Sequence, residues 1–303
     1  MAIQTVKVTI NGTEHTLEYN STTQKWEKTI TAPTTTSYNK TGGYYPVSVT
    51  ATNQAGTSNT ITDADNDNLK LVVKERILPV ITLTSPSSGA YVTNNKPPIT
   101  FTVTDELGGS GVKESTIVLK IDSTTITTTK TSITNGFQCT GTPTTALSDG
   151  SHTITITASD NDGNNATTVT STFKVDTVPP TLNITAPTNG LITATTSVTV
   201  AGSTNDSTSS PVTIAILVNG KDNYTATVSS KGEFSKAVTL REGSNTIAVT
   251  ATDSAGKTTT VTKTVTVDTS TPEITSVTIT PNPVDAGETM VISVEVSWWV
   301  KKS

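Results

Sequence analysis

One acidic segment of this chain has the residue types that bind a hard cation. Asp160 and Asp162 lie in the sequence SDNDGNN, and Asp176 follows after the next predicted strand. Carboxylate and amide oxygens are the ligands that Ca²⁺ prefers in proteins. The sequence therefore predicts calcium bound by Asp160, Asp162 and Asp176. The alternative is that the acidic segment only forms a turn with Gly163, because Asp and Asn side chains accept hydrogen bonds from nearby backbone N–H groups.

No residues with the types and spacing of a catalytic site accompany this segment. His15 and His152 are the two histidines, and neither has a serine, aspartate or metal-ligand partner at a meaningful spacing. The single cysteine, Cys139, lies in a Gly/Thr-rich stretch and is interpreted as a structural thiol. We therefore predict that the protein is not an enzyme and has no catalytic residues. Apart from calcium, we predict no cofactor.

The elements that position these residues follow from a pattern that occurs three times. It reads YYPVSVTATNQAG at 44–56, SHTITITASDNDG at 151–163 and SNTIAVTATDSAG at 244–256. Each copy alternates apolar and hydroxyl residues before an Asx/Gly turn, which is typical of a half-buried strand that enters a tight turn. A repeat of this size predicts a string of similar modules rather than one enzyme-sized core.

Composition supports an all-β fold and excludes two classes of partner. The chain has 71 threonines, and aromatic residues make up only 4% of it. Threonine is β-branched and suits a pleated strand better than a helix. The net charge of −5 is spread along the chain without a basic stripe, which argues against nucleic acid as a partner. No apolar run approaches the length of a membrane span, so we predict no membrane insertion.

The recurrences also predict where the modules begin and end. ITLTSPSSG at 81–89 recurs as LNITAPTNG at 182–190, a spacing typical of immunoglobulin-like sandwiches of about 100 residues. We predict tandem immunoglobulin-like β-sandwiches at 1–78, 79–177 and 178–270, and an incomplete fourth module at 271–303. The predicted joints are short and contain proline, which favours extended backbone. We therefore expect an extended rod, with the calcium at the joint between the second and third modules.

The last segment predicts a surface that docks onto a partner. If residues 290–300 form a strand, alternate apolar residues fall on one of its faces. These residues are Ile292, Val294, Val296, Trp298 and Val300. A two-stranded hairpin with such a face is not stable alone in water. We predict that it adds to the sheet of a partner or of a neighbouring copy; the alternative is a truncated, frayed tail.

Several of these motifs resemble a known family. LSDGSHTITITASDNDGNN, followed by FKVDTVPPTLNIT, resembles the bacterial Ig-like repeats of surface adhesins and phage virion proteins, and LREGSNTIAVTATDSAGKTTT is similar. The segment APTTTSYNKTGGYYPVSVTATNQAG resembles Ig-like modules of tail and baseplate-region proteins in phages of Gram-positive bacteria. The resemblance implies the sandwich fold, and it implies display rather than any one activity.

The N-terminal sequence favours one of two settings for such a protein. MAIQTVKVTINGTEH has neither the charged region nor the apolar region of a secretory signal. This favours a phage or phage-like virion component made in the host cytoplasm, with other virion proteins, copies of itself and bacterial surface glycans as partners. The alternative is a fragment of a secreted or cell-wall adhesin at the bacterial cell surface. A third hypothesis is that the chain consists of accessory modules of a carbohydrate-active enzyme.

Overall fold

Alternating apolar and threonine residues form strands along the described chain, residues 2–297 of a computed structural model. Its regular elements are 26 β-strands and three short 3-10 turns. The chain divides into two units, Met1–Thr177 and Val178–Ser303. The predicted all-β class and the tandem sandwich arrangement are confirmed. The predicted modules at 1–78 and 79–177 both lie in the first unit.

The N-terminal part of the first unit is one main sheet with a small hairpin beside it. Its strands are β1 (Ile3–Ile10), β2 (Thr13–Thr16), β3 (Glu18–Asn20), β4 (Lys25–Glu27), β5 (Tyr45–Asn53), β6 (Ser58–Ile61) and β7 (Lys70–Leu71). The sheet order is β2-β1-β5-β6, β7 pairs with β5, and β3 pairs with β4. The buried apolar side chains here are Val6, Val8, Tyr45 and Val47, so the core of this part is small.

The second part of the first unit is a two-sheet sandwich. Its strands are β8 (Val80–Ser85), β9 (Tyr91–Val92), β10 (Ile99–Thr104), β11 (Val118–Ile121), β12 (Thr124–Ile126), β13 (Thr128–Ile133), β14 (Gly136–Gly141), β15 (Gly150–Thr157) and β16 (Val169–Val175). The sheets run β13-β14-β10-β8 and β12-β11-β15-β16-β9. Inward residues such as Phe101, Leu119 and Phe173 fill the space between them. Cys139 is among these buried side chains, as the interpretation of a structural thiol requires.

The second unit contains another sandwich. Its strands are β17 (Thr181–Ala186), β18 (Leu191–Thr193), β19 (Ser197–Asn205), β20 (Thr213–Val218), β21 (Asp222–Ala226), β22 (Glu233–Thr239), β23 (Gly243–Thr252) and β24 (Thr258–Val267). The sheets run β17-β19-β22 and β18-β24-β23-β20-β21. The short strand β18 pairs in parallel with β24, just as β9 pairs in parallel with β16 in the preceding sandwich. The repeated sequence thus builds the same topology twice.

The repeat also places the same side-chain contacts at equivalent positions. Thr50 on β5 and Thr60 on β6 are joined by a 2.8 Å hydroxyl hydrogen bond, and Thr250 and Thr260 on β23 and β24 are joined by one of 2.9 Å. Cross-strand threonine pairs of this kind stabilise a sheet on its wet face. The outward faces of the strands are therefore rich in threonine, with a few charged residues such as Lys120, while the inward faces form the cores.

A two-stranded sheet follows the second sandwich. Its strands are β25 (Glu273–Thr280) and β26 (Val291–Ser297), which pair antiparallel. The sequence predicted both strands, with the second extended to 300. The structure describes β26 as far as Ser297, and Trp298 and Val300 lie outside the described residues.

Candidate functional site

Asp160 has the role that the turn interpretation requires. Its Oδ1 accepts hydrogen bonds from the backbone N–H groups of Gly163 at 2.6 Å and Asn164 at 2.8 Å, and its Oδ2 accepts one from Asn164 Nδ2. Asn53 and Asp253 stand at the same position of the other two repeats, and each also accepts two backbone N–H bonds through Oδ1. Because neutral Asn53 closes the same turn, the turn does not depend on a negative charge or on a cation.

The other two residues of the predicted calcium set lie in different surroundings. Asp162 Oδ2 accepts hydrogen bonds from Thr36 Oγ1 at 2.6 Å and from the Glu75 backbone N–H at 3.0 Å. Asp176 is buried just after β16, and its N–H donates to the carbonyl of Val92. Asp160, Asp162 and Asp176 do not form a common group of potential ligands among the described residues. Calcium binding by this set stays a prediction, and the donors named here already occupy oxygens of Asp160 and Asp162.

The structure instead gathers three carboxylates that the sequence did not single out. Glu75 follows β7, and Asp105 and Glu106 follow β10. Each offers one carboxylate oxygen, and these oxygens lie within 4.8 Å of one another. We call Glu75, Asp105 and Glu106 the carboxylate cluster. The close approach depends on the fold, because about 30 residues separate Glu75 from Asp105 in the chain, and no local motif marks the pair.

His152 has a partner that sequence spacing did not indicate. Its Nδ1 lies 2.5 Å from Oδ2 of Asp122, and its Nε2 lies 2.8 Å from the carbonyl oxygen of Ser148. Burial alone would lower the pKa of His152, but the hydrogen bonds to Ser148 and Asp122 and the charge of Asp122 outweigh it and raise the pKa. Burial would raise the pKa of Asp122, but the hydrogen bonds from His152 and Thr153 outweigh it and lower the pKa.

These groups do not amount to a catalytic site. The imidazole of His152 is buried and both its nitrogens are engaged. Burial raises the pKa of the Cys139 thiol, which keeps it protonated and unreactive. A groove of about 490 Å³ lies along β19, β20 and β21, and Asp206 is the one titratable side chain among the described residues that line it. A single carboxylate does not supply the paired acid and base of glycoside hydrolysis.

The β25–β26 hairpin carries an exposed apolar face. Strand pairing places Ile279 opposite Ile292, and Val277 opposite Val294, so their side chains lie on the same face. We call this set of six aliphatic residues the hairpin face: Ile274, Val277, Ile279, Ile292, Val294 and Val296. Their side chains are 42–63% exposed. The sequence predicted the β26 half of this face and did not identify the β25 half.

The fold defines a class of protein: a chain of immunoglobulin-like β-sandwiches. Residues 78–177 match the family model of the bacterial Ig-like domain, and residues 180–269 match that of glucodextranase domain B. The sandwich of β8 to β16 is therefore similar to a bacterial Ig-like domain, in agreement with the resemblance of the sequence motifs. A search of the curated proteins found no match.

Similar solved structures include tandem modules of several kinds. Fibronectin(III)-like modules of CbhA from Clostridium thermocellum are 19% identical over 62% of this chain and 93% of theirs, with a TM-score of 0.40. A 1.5-MDa bacterial ice-binding adhesin is 22% identical over 88% of each chain, with a TM-score of 0.31. SGBP-B of Bacteroides ovatus is 15% identical over 91% of this chain and 62% of its own, with a TM-score of 0.23. Likenesses at these scores carry no argument about function.

The described residues form no helix with the length and apolarity needed to cross a membrane.

Proposed function

We propose that the protein is a non-enzymatic structural and display protein that attaches through the β25–β26 hairpin and presents its Ig-like modules. The single observation that carries this proposal is the exposure of the hairpin face. Aliphatic residues with the same alternation, such as Ile247 and Val249 on β23, are fully buried in the sandwich. An uncovered apolar face of this kind supports the proposal of an interaction surface.

Covering the hairpin face would stabilise an attached state substantially. Full burial of a valine or isoleucine side chain contributes about 1.5–3 kcal/mol, and the six side chains are already about half buried. Covering each of them therefore adds on the order of 1 kcal/mol. Six such contributions, about 6 kcal/mol together, are comparable with the lower end of the roughly 4–15 kcal/mol that association costs, so further contacts must add to them.

The backbone of the hairpin offers a second means of attachment. β25 and β26 pair only with each other among the described strands, so each has one edge at which no other described strand pairs. A strand of another protein can add to such an edge, with main-chain hydrogen bonds providing affinity and the side-chain face providing specificity. Edge pairing and face burial together describe docking onto a β-sheet.

Charge favours a different protein over a second copy as the occupant. The hairpin segment 273–297 contains Glu273, Asp285, Glu288 and Glu295 and no lysine or arginine. Two such hairpins placed together would bring like charges close, whereas a partner sheet with a basic rim would complement them. The occupant we propose is therefore a β-sheet of another structural protein in the same assembly.

The assembly we propose is a phage or phage-like particle. Support comes from the resemblance of 79–270 and of the first module to Ig-like modules of virion proteins. On such a particle, many copies would make weak contacts with bacterial surface glycans, and their number would supply the avidity. The second candidate is a fragment of a bacterial adhesin, which the match of 78–177 to the bacterial Ig-like domain equally accommodates.

Electron microscopy with an antibody against residues 79–270 tests this proposal. Particles and cells from the producing strain would be labelled in parallel. Label on a tail, baseplate or capsid is the expected result. Label confined to the cell wall would overturn the particle assignment and favour the adhesin.

A further inference from the structure

The carboxylate cluster contains buried acidic oxygens that have no hydrogen-bond partner in the described part of the chain. Asp105 is only 7% exposed, and its Oδ2 accepts a hydrogen bond from the Gly111 N–H at 2.8 Å. Its Oδ1 is buried and has no hydrogen-bond partner among the described residues, and the same holds for Oε2 of Glu75 and Oε2 of Glu106. Leaving one buried polar atom unpaired costs about 1–3 kcal/mol, and more for a charged group.

Repulsion between the carboxylates makes the cluster still less favourable when no cation is bound. None of the ion pairs among the described residues includes Glu75, Asp105 or Glu106. Burial raises the pKa of Asp105, the Gly111 N–H opposes this, and the nearby charges of Glu75, Asp160 and Asp162 add to the rise. Buried charges in proteins are paired or coordinate metals. The protein therefore holds together three acidic groups that repel one another.

Gly109 permits this close approach. A Cβ atom at this position would lie 2.6 Å from Oε2 of Glu75 and 2.7 Å from Oε1 of Glu106. Either contact is too short for a real side chain, so any other residue would displace one of the carboxylates. The backbone around it is fixed by further bonds, including one from the Ser110 N–H to Oε1 of Glu75 at 2.5 Å. The loop thus holds the carboxylates in their cluster.

We propose that Glu75, Asp105 and Glu106 bind one Ca²⁺ ion. Oxygens within 4.8 Å of one another can all lie at the 2.3–2.6 Å that Ca²⁺ requires. The cluster is all-oxygen, without the histidine or cysteine that would favour zinc. Ca²⁺ also accepts irregular geometry and completes its shell with carbonyls and water, whereas Mg²⁺ demands a near-ideal octahedron.

This site would tie the segment after β7 to the loop after β10 inside the first unit. It is independent of the docking function proposed above, and it differs from the set Asp160, Asp162 and Asp176. Bound calcium would satisfy the unpaired oxygens and cancel their repulsion. We expect affinity in the range of extracellular calcium modules, about 10⁻⁴–10⁻³ M.

The test is a CaCl₂ titration of the full chain, followed by NMR of the Ser110 and Gly111 amides and by thermal unfolding. We expect these amides to shift saturably, and about 10 mM calcium, some tenfold above the upper end of that range, to raise the Tm relative to EDTA. Glu106→Gln should weaken binding at least tenfold. Glu114→Gln, an exposed control with the same charge change in the same unit, should bind like the wild type.

Asp105→Asn separates metal binding from a merely structural role. We expect this variant to lose the calcium-induced rise in Tm while its Tm in EDTA equals or exceeds that of the wild type, because one repelling charge is gone. Equal losses of Tm with calcium and with EDTA would show that Asp105 only supports the loop and would overturn the proposal. Absence of amide shifts up to 10 mM calcium, tenfold above the weakest affinity expected, would also overturn it.

Discussion

Ile279 on β25 lies directly opposite Ile292 on β26, and the two side chains are 42% and 56% exposed. In the neighbouring sandwich Ile216 and Ile247 have the same residue type and the same alternation, and they are almost completely buried. The difference is the second sheet, which covers Ile216 and Ile247. The hairpin face thus has the residue pattern of one half of a core and lacks a covering sheet among the described residues.

This difference in exposure predicts that the same isoleucine-to-alanine substitution lowers the free energy of unfolding by different amounts at the two sites. Ile247→Ala removes a buried side chain and should lower the free energy of unfolding by about 2–5 kcal/mol. Ile292→Ala removes a half-exposed one and should change it by less than about 1 kcal/mol. Urea unfolding of the two variants measures both values. A cost for Ile292→Ala as large as that for Ile247→Ala would mean that the hairpin face is already covered in the isolated protein.

His152 predicts that the first unit loses stability as pH rises. A histidine whose folded pKa is raised contributes stability that is fully present below the unfolded value, about 6.5. That stability is lost as pH rises through the folded pKa. We expect the free energy of unfolding to fall above about pH 6.5, as measured by urea titrations across this range. Asp122→Asn should flatten the profile, whereas His15→Gln, which keeps His152, should retain it.

The position of Gly136 leads us to expect a steric limit inside the sandwich of β8 to β16. A Cβ atom there would lie 2.0 Å from the Val103 carbonyl oxygen on the neighbouring strand. We expect Gly136→Ala to cost about 3 kcal/mol, because β14 would have to move away from β10. Gly12 has a positive φ of 77° but open space around it, so Gly12→Ala should cost only about 1 kcal/mol. Similar midpoints for the two variants in urea unfolding would contradict this.

The contacts of Asp160 lead us to expect that hydrogen bonding, and not charge, stabilises the turn that Asp160 forms with Gly163 and Asn164. Asp160→Asn keeps an oxygen for the N–H groups of Gly163 and Asn164, as Asn53 does in the first repeat. Asp160→Ala loses all three bonds and should be less stable than Asp160→Asn by about 1–2 kcal/mol. Calcium binding at Asp160 would instead make both variants lose the same calcium-dependent rise in Tm.

The sequence alone was sufficient to predict strands that have one buried face and one exposed face. Where one face is buried, as on β15 and β23, apolar and hydroxyl residues alternate and identify the strand. The segment 124–141 was not predicted to form strands, although β12, β13 and β14 lie there. β13 is an edge strand of threonine, lysine and serine with most side chains exposed, so its two faces look alike in sequence.

The candidate sites also differ in whether the sequence alone could predict them. The alternation of Ile292, Val294 and Val296 was visible because it is local to one strand. The carboxylate cluster and the Asp122–His152 pair were not, because their members come from segments about 30 residues apart that only the folded sheets bring together. A single sequence carries no signal for such contacts until strand pairing is known.

The most direct test of the docking function is co-sedimentation of hairpin variants with particles or cells of the producing strain. Val294→Glu places a charge on the hairpin face, whereas Thr278→Glu places the same charge on the opposite face of the hairpin. We predict that the wild type and Thr278→Glu sediment with the assembly while Val294→Glu stays in the supernatant, with equal Tm values for all three. Sedimentation of Val294→Glu at the wild-type level would contradict attachment through the hairpin face.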